Sequence, residues 1–299
     1  MSHSMKDLYK AYLRYIGNHS SDCLSRQIIF DVPYDLLRKL NKPSMLRPKG
    51  AFFSGDAVTR QLLEGVRVCN QPVFDPAAGC GDLLLRYFER QKVNGRFGDV
   101  LSRWERMIFA VEKESSFVKT LKLRMWLLLY WKIYGEVALS SITIPSLDDR
   151  FLGVRCGDGL AVEGVPDGLI LMNPPYQQVK AKKTYPWSAG KVSYAAIFLC
   201  EMVKKYPRSR LLAILPDVVR SGSRYGRLRA ELAGRVAKVK IFGRFDDKTD
   251  VDVFTMDSGP MRGRRRQVCQ NGSSCGGVCL GDYFEVHVGA VVPHRDKYE

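Results

Sequence analysis

Apolar residues in this chain fall into short runs separated by longer stretches in which they recur every three or four positions. Runs at residues 72–74, 107–111, 151–155, 169–172, 211–215, 236–242 and 251–255 have the length and bounding punctuation of strands. The intervening blocks at residues 82–91, 115–134, 194–206 and 224–232 carry helical spacing. Strand followed by helix, repeated, predicts a doubly wound α/β fold with a mostly parallel seven-stranded sheet.

Ahead of this repeat, Leu8, Tyr12, Leu13, Ile16, Leu24 and Ile28 predict short amphipathic helices, broken at Gly17-Asn18 and at Pro33. Asn41-Lys-Pro-Ser and Arg47-Pro-Lys-Gly50 then punctuate a linker. The expected organisation is a helical N-terminal segment, residues 1–47, followed by an α/β domain, residues 48–299.

Composition narrows the class. The chain has 299 residues, 45% of them hydrophobic, which suffices for a substantial core. Its 47 Lys and Arg outnumber 31 Asp and Glu, a formal net charge of +16, so the surface is electropositive and nucleic acid is the expected partner. The longest apolar cluster, Met125-Trp-Leu-Leu-Leu-Tyr-Trp131, falls well short of the roughly 18 residues that a membrane span needs. A polar opening without a secretory signal predicts a cytoplasmic location. Cys23, Cys69, Cys80, Cys156 and Cys200 are expected as reduced, small core residues. Cys269, Cys275 and Cys279 match no common zinc spacing, and no metal site is expected. Residues 262–277 form a basic, glycine-containing stretch expected to be a loop that could touch phosphates.

In a doubly wound sheet, ligands collect at the carboxyl ends of the strands, near the point where strand order reverses. Four predicted strands end in residues suited to that place. Asp75-Pro-Ala-Ala-Gly-Cys-Gly81 leaves a strand and opens a helix; its glycines allow close backbone approach, and the helix start offers unsatisfied amides. It lacks the spacing of a dinucleotide fingerprint and the Lys-Ser/Thr of a phosphate loop, and a structural turn is the plain alternative. Glu112, at the tip of the next strand, is placed to accept hydrogen bonds from a ribose diol, or simply to cap the following helix. Asp158, in Arg155-Cys-Gly-Asp-Gly, could accept from an exocyclic amine or belong to an ordinary Asp-Gly turn.

The most specific stretch is Asn173-Pro174-Pro175-Tyr176, directly after Leu169-Ile-Leu-Met172. Two prolines fix the backbone and remove two amide donors, leaving carbonyl oxygens set in direction. Such a tip can hold a planar amino group from two sides, through the Asn173 side-chain oxygen and the Pro174 carbonyl. An aromatic amine is a poor nucleophile because its lone pair is delocalised, and gripping both hydrogens favours a pyramidal nitrogen.

Taken in order, Phe52-Phe-Ser-Gly-Asp-Ala-Val58, Asp75 to Gly81, Ala110-Val-Glu-Lys113, Cys156-Gly-Asp-Gly159 and Asn173-Pro-Pro-Tyr176 resemble the motifs of adenine-specific DNA N6-methyltransferases. Their order resembles the gamma arrangement of restriction-modification systems, across about residues 48 to 290. The resemblance implies a sheet of the class I S-adenosylmethionine-dependent methyltransferase type, with the helical segment as an N-terminal extension. It implies S-adenosylmethionine as methyl donor, held by Phe53, Ser54, Asp75, Ala77, Gly79, Gly81, Glu112 and Asp158. Asn173, Pro174, Pro175 and Tyr176 would be catalytic, with Tyr176 and Phe245 stacking on an adenine flipped out of the duplex. Two departures stand out: Ser54-Gly55 replaces the usual Thr-Pro, and Ala78 and Cys80 stand where Cys and Thr are commoner. Residues 177–191, with four lysines and Trp187, are expected to close over the target strand.

Asp282-Tyr-Phe-Glu-Val-His-Val-Gly289 resembles the lead-in to a target-recognition domain, so that domain is expected to be absent or truncated. DNA, a separate recognition subunit or a restriction endonuclease are the expected partners. Two rival functions stay open at this level. One is methylation of protein glutamine, since Asn-Pro-Pro-Tyr also serves amide nitrogens; the other is a non-catalytic DNA-binding subunit that keeps the fold.

Overall fold

The computed structural model describes residues 7–41, 55–181, 184–188, 190–246 and 249–259, with the side chains of 246, 249 and 250 excepted. Phe53 and Ser54, the basic stretch 262–277, the three clustered cysteines and the segment 282–289 lie outside the described residues.

The chain opens with three helices, α1 (Leu8–Asn18), α2 (Arg26–Phe30) and α3 (Val32–Leu40). Pro33 begins α3 instead of breaking a helix, because its missing amide falls among donors that have no partner at a helix start. The α/β repeat follows: α4 (Asp56–Leu63), β1 (Val73–Asp75), α5 (Asp82–Glu89), α6 (Phe97–Met107), β2 (Ile108–Glu112), α7 (Ser115–Tyr134) and β3 (Val154–Cys156). Beyond it come β4 (Leu169–Met172), β5 (Gln178–Lys180), β6 (Lys191–Ser193), α8 (Tyr194–Lys205) and β7 (Arg210–Pro216). The last described elements are α9 (Val218–Ser221), α10 (Gly226–Leu232), β8 (Lys238–Asp246) and β9 (Thr249–Asp257).

Seven strands form one sheet in the order β3-β2-β1-β4-β7-β9-β8. The pairs from β3 to β7 are parallel, whereas β7–β9 and β8–β9 are antiparallel. β5 and β6 make a separate antiparallel pair. This is the doubly wound, mostly parallel α/β fold that the sequence predicts.

Side-chain alternation splits the strands between two cores. Val73, Leu169, Leu171, Leu212 and Ile214 join one with α5, α6 and α7. Phe74, Ile170, Met172, Leu211, Ala213 and Leu215 join the other with α8 and α10. Both faces of the strands are therefore covered, which is why these strands read as unbroken apolar runs. α7 is the central helix, buried from Phe117 through Leu129 except at Lys119, and α1 and α2 pack on it. Among the cysteines expected in the core, Cys80 and Cys200 are buried, while Cys23, Cys69 and Cys156 are exposed. Among the described residues, no helix is long and apolar enough to cross a membrane.

Candidate active site

Strand register places the sequence-predicted residues together. β1 pairs Asp75 with Ala110 of β2, so Glu112 lies two residues further toward the same end. β2 in turn pairs Glu112 with Cys156 of β3, and Asp158 lies two residues beyond that. On the other side, Phe74 pairs with Ile170 of β4, which sets Asn173 just past the strand end next to the turn that Asp75 opens. Four adjacent parallel strands thus present Asp158, Glu112, Asp75 and Asn173 at one carboxyl edge. Between β1 and β4 the strand order reverses, and a doubly wound sheet has its ligand crevice there.

The glycine turn is shaped by contacts from both neighbours. Asp75 is 2% exposed, and its Oδ1 accepts the Ala77 amide at 3.0 Å. Burial pushes its carboxyl up to about 8, with the negative groups of Glu112 and Asp82 adding to the rise. A cation brought beside such a buried carboxyl favours its ionised form. Gly79 and Gly81 both have positive φ, at 54° and 88°. A Cβ on Gly81 would overlap the Leu121 side chain, so α7 packs directly beneath the turn. A Cβ on Gly79 would meet nothing within 4 Å, so this side of the turn faces open space.

Glu112 grips that turn. Its Oε2 accepts the Gly79 amide and its Oε1 the Glu114 amide, both at 3.0 Å. A carboxylate has about four acceptor positions, which leaves room for a further donor. Burial raises the Glu112 carboxyl, against the pull of these amides. Asp158 accepts the Leu160 amide at 3.1 Å and lies 3.5 Å from the Lys113 ammonium. Its neighbour Gly159 packs so tightly that a Cβ there would overlap the Pro76 carbonyl, joining the β3 tip to the β1 turn. An edge with a buried carboxyl, an open glycine turn and two further carboxylates suits a ligand with an ammonium group, a ribose diol and a base amine.

At the β4 tip, Asn173 and Tyr176 are half-buried and Pro174 is buried. The Tyr176 hydroxyl donates to Asn173 Oδ1 at 2.6 Å. Burial holds the Tyr176 phenol well above its usual range, so it remains a donor. Phe245, on β8, is brought to Tyr176 with ring centroids 5.9 Å apart, but edge-on at 85° and almost fully buried. The two rings meet as an edge-to-face pair, not as parallel walls around a slot. A Cβ on Gly55 would reach the Phe245 carbonyl at 3.9 Å, so the residue after Ser54 abuts the same corner. Trp187 is buried against Tyr185, which anchors this part of the segment after Tyr176, while Lys180 and Lys191 are exposed on the β5–β6 pair.

In the sequence, Lys113 and Gly159 stand only as members of motifs, without a role, and Arg124 belongs to none of them. Arg124 is fully buried on α7 and donates to the Cys80 carbonyl in the glycine turn at 2.7 Å. The signal for it was present: a lone arginine inside Leu121-Lys-Leu-Arg-Met-Trp-Leu-Leu128 needs buried partners.

No family model matches the chain, and no curated protein matches it in sequence. Solved structures do match. A chain from Vibrio vulnificus YJ016, assigned as the modification subunit of a type I restriction enzyme, superposes with a TM-score of 0.54 at 21% identity over 79% of this chain and 52% of that one. A Listeria monocytogenes protein assigned as a class I S-adenosylmethionine-dependent methyltransferase gives 0.53 at 13% identity, over 87% of this chain and 81% of its own. The type IIL restriction-modification enzyme MmeI, solved in complex with DNA, gives 0.53 at 15% identity, over 77% and 40%. What is shared at these identities is the fold. The chain spans about half the length of the first of these structures and less than half of MmeI.

Proposed function

We propose that this protein transfers a methyl group from S-adenosylmethionine to the N6 amine of an adenine flipped out of DNA, as the modification component of a restriction-modification system. One observation carries the reading: the Asn173-Pro174-Pro175-Tyr176 tip stands beside the Asp75 turn at the reversal of strand order, on the edge that also holds Glu112 and Asp158. The fold shared with modification enzymes, one of them solved on DNA, and the net charge of +16 support the same assignment. In this reading the partners are DNA and the recognition or restriction subunits of such a system.

S-adenosylmethionine supplies a methyl group already activated on a sulfonium. The chain's own residues bind, orient and desolvate. Asp75, Ala77, Gly79 and Gly81 hold the methionine end, where the buried Asp75 carboxyl meets the ammonium and the open side of Gly79 gives room. Glu112 offers its remaining lone pairs to the ribose hydroxyls, and Asp158 accepts from the adenine amine of the donor. The sequence resemblance also assigns Phe53 and Ser54, which lie outside the described residues, to the methyl donor. Asn173 Oδ1 and the Pro174 carbonyl accept hydrogen bonds from the two N–H groups of the target amine, which localises its lone pair for attack on the methyl carbon as the sulfonium–methyl bond breaks, and the surplus proton leaves to water after transfer. Tyr176 offers its ring face to the target base, and Phe245 backs Tyr176 from its edge. The positive surface supplies phosphate contacts that are indifferent to sequence.

The test is transfer of label from methyl-tritiated S-adenosylmethionine to DNA, followed by digestion and identification of the labelled nucleoside. N6-methyladenine as the labelled product, lost with Asn173→Ala, is the expected result. Label on protein, on cytosine or nowhere would refute the assignment.

A further inference from the structure

The most apolar stretch of the central helix carries a charge that makes four hydrogen bonds to other parts of the chain. Arg124 is 0% exposed. Burial of this kind persists only where the donors are taken up. Nε donates to the Ile29 carbonyl at 2.8 Å and Nη2 to the Phe30 carbonyl at 3.2 Å. Nη1 donates to the Cys80 carbonyl at 2.7 Å and to Asp82 Oδ1 at 2.8 Å. Ile29 and Phe30 close α2, where helix carbonyls lack intrahelical partners. Cys80 and Asp82 flank Gly81, the left-handed residue that turns the glycine loop into α5. One planar side chain therefore ties the N-terminal helices to the turn that faces the ligand crevice. A second connection runs alongside it: Leu8 of α1, Leu37 of α3, Cys80 and Phe117 of α7 form one buried apolar cluster.

We propose that Arg124 is a positioning residue for the cofactor turn, and that α1–α3 brace this turn through it, so that cofactor binding and docking of the N-terminal helices are energetically coupled. The inference rests on the methyl-donor site assigned above and adds a role for α1–α3, which carry none of the residues in that assignment. Coupling of this kind is reciprocal: a ligand that fixes the Gly79–Gly81 turn must also tighten the hold on α2. A purely structural arginine would stabilise the fold without making α2 respond to the ligand.

Hydrogen exchange on the intact wild-type chain, with and without saturating S-adenosylhomocysteine, tests this without any substitution. Slower exchange is expected at the amides of residues 26–32 as well as at the Asp75–Gly81 turn, by a factor of about 5 to 150 at α2. Protection confined to the strand tips, with α2 unchanged, would overturn the proposal. Calorimetry with the same ligand on Arg124→Met and Arg124→Lys gives the second readout. Affinity of the folded Arg124→Met protein should fall by about the same factor, with partial recovery in Arg124→Lys and unchanged affinity for DNA. Unaltered ligand affinity in folded Arg124→Met would overturn the coupling alone, whereas wild-type protein that binds no ligand at all would overturn the donor site with it.

Discussion

The hydroxyl of Tyr176 donates to Oδ1 of Asn173 at 2.6 Å. This bond ties the phenol and the amide of the β4 tip into one unit. It fixes which end of the Asn173 amide is the acceptor, since an amide oxygen held by an O–H donor cannot exchange places with its nitrogen without breaking that bond. The oxygen has a second lone pair, which is the one assigned to the target amine.

Asn173→Ala is therefore expected to lower turnover by about 10²- to 10³-fold, the usual cost of deleting a preorganised partner of the transition state. Cofactor affinity should stay near wild type, because Asn173 is assigned to the base and not to the donor. Tyr176→Phe keeps the ring and removes only the orienting hydroxyl, and a fall of about tenfold in kcat with little change in KM for DNA is expected, equivalent to about 1.4 kcal/mol. Single-turnover kinetics at saturating cofactor separate these effects. Parallel loss of cofactor affinity and turnover in Asn173→Ala would contradict the assigned role.

With Asp75 assigned to the donor's ammonium, cofactor binding should depend on pH. Its carboxyl is raised to about 8 by burial, so the folded chain holds a proton there that the unfolded chain releases near 4. Between those values the folded state binds the extra proton, and this group's contribution to stability declines as pH rises through the window. A ligand ammonium favours the ionised form, so binding at neutral pH must expel the Asp75 proton. Affinity for S-adenosylmethionine should then rise between pH 6 and 8, by up to about tenfold per unit. It should fall again as the ligand's own amine, with an ordinary value of about 8, loses its charge. Calorimetry in buffers of different ionisation enthalpy counts the released protons directly. Asp75→Asn should weaken binding and flatten the acidic limb; a profile unchanged by that substitution would count against the Asp75 contact.

The site's polar tips are legible in the sequence because a doubly wound sheet leaves few uses for Asp, Glu or Asn at the end of an apolar run. Register then does the rest, since a parallel pairing carries Asp75, Glu112, Asp158 and Asn173 to the same edge. Other features depend on tertiary structure. α6 (Phe97–Met107) starts with Phe97-Gly98 and mixes charges among Val100, Leu101, Trp104 and Met107, so its apolar face shows only once it packs. The apolar runs at 236–242 and 251–255 leave room for either direction. The observed strands end and begin at Asp246 and Thr249, and a connection that short can only reverse the chain. β5 and β6 span three residues each and are too short for any alternation to register. The geometry between Tyr176 and Phe245 was out of reach altogether, because the sequence places two aromatics in one corner without setting the angle between their planes.

Gly79 and Gly81 share a positive φ, yet their substitutions should differ in kind. Alanine at Gly81 is strained at φ 88° and also overlaps Leu121, so either α7 or the turn must move. Gly81→Ala is expected to destabilise the fold by about 1–3 kcal/mol, within the range for strain and overpacking. At Gly79 the added methyl enters open space, leaving only the backbone cost of about 1 kcal/mol in the left-handed region. That open space is the room assigned to the cofactor. Gly79→Ala should therefore melt close to wild type and bind S-adenosylmethionine poorly. Thermal unfolding with and without cofactor checks both at once: a large ligand-induced rise in Tm for Gly79→Ala would mean that the open side of the turn is not where the ligand sits.

Salt should separate the two proposed ligands, DNA and the methyl donor. DNA binding that draws on the excess of basic residues releases counterions, and its log–log dependence on salt should slope by about −0.9 for each phosphate contacted on duplex DNA. Contact with five or more phosphates would give a slope steeper than about −4. The donor site relies instead on the carboxyl groups of Asp75 and Glu112, held by backbone amides away from bulk solvent, where added salt screens little. Fluorescence anisotropy with labelled duplexes, beside calorimetry with S-adenosylhomocysteine over the same salt series, should give one steep line and one nearly flat line. Two flat lines would mean that the net charge of +16 has no part in holding the substrate.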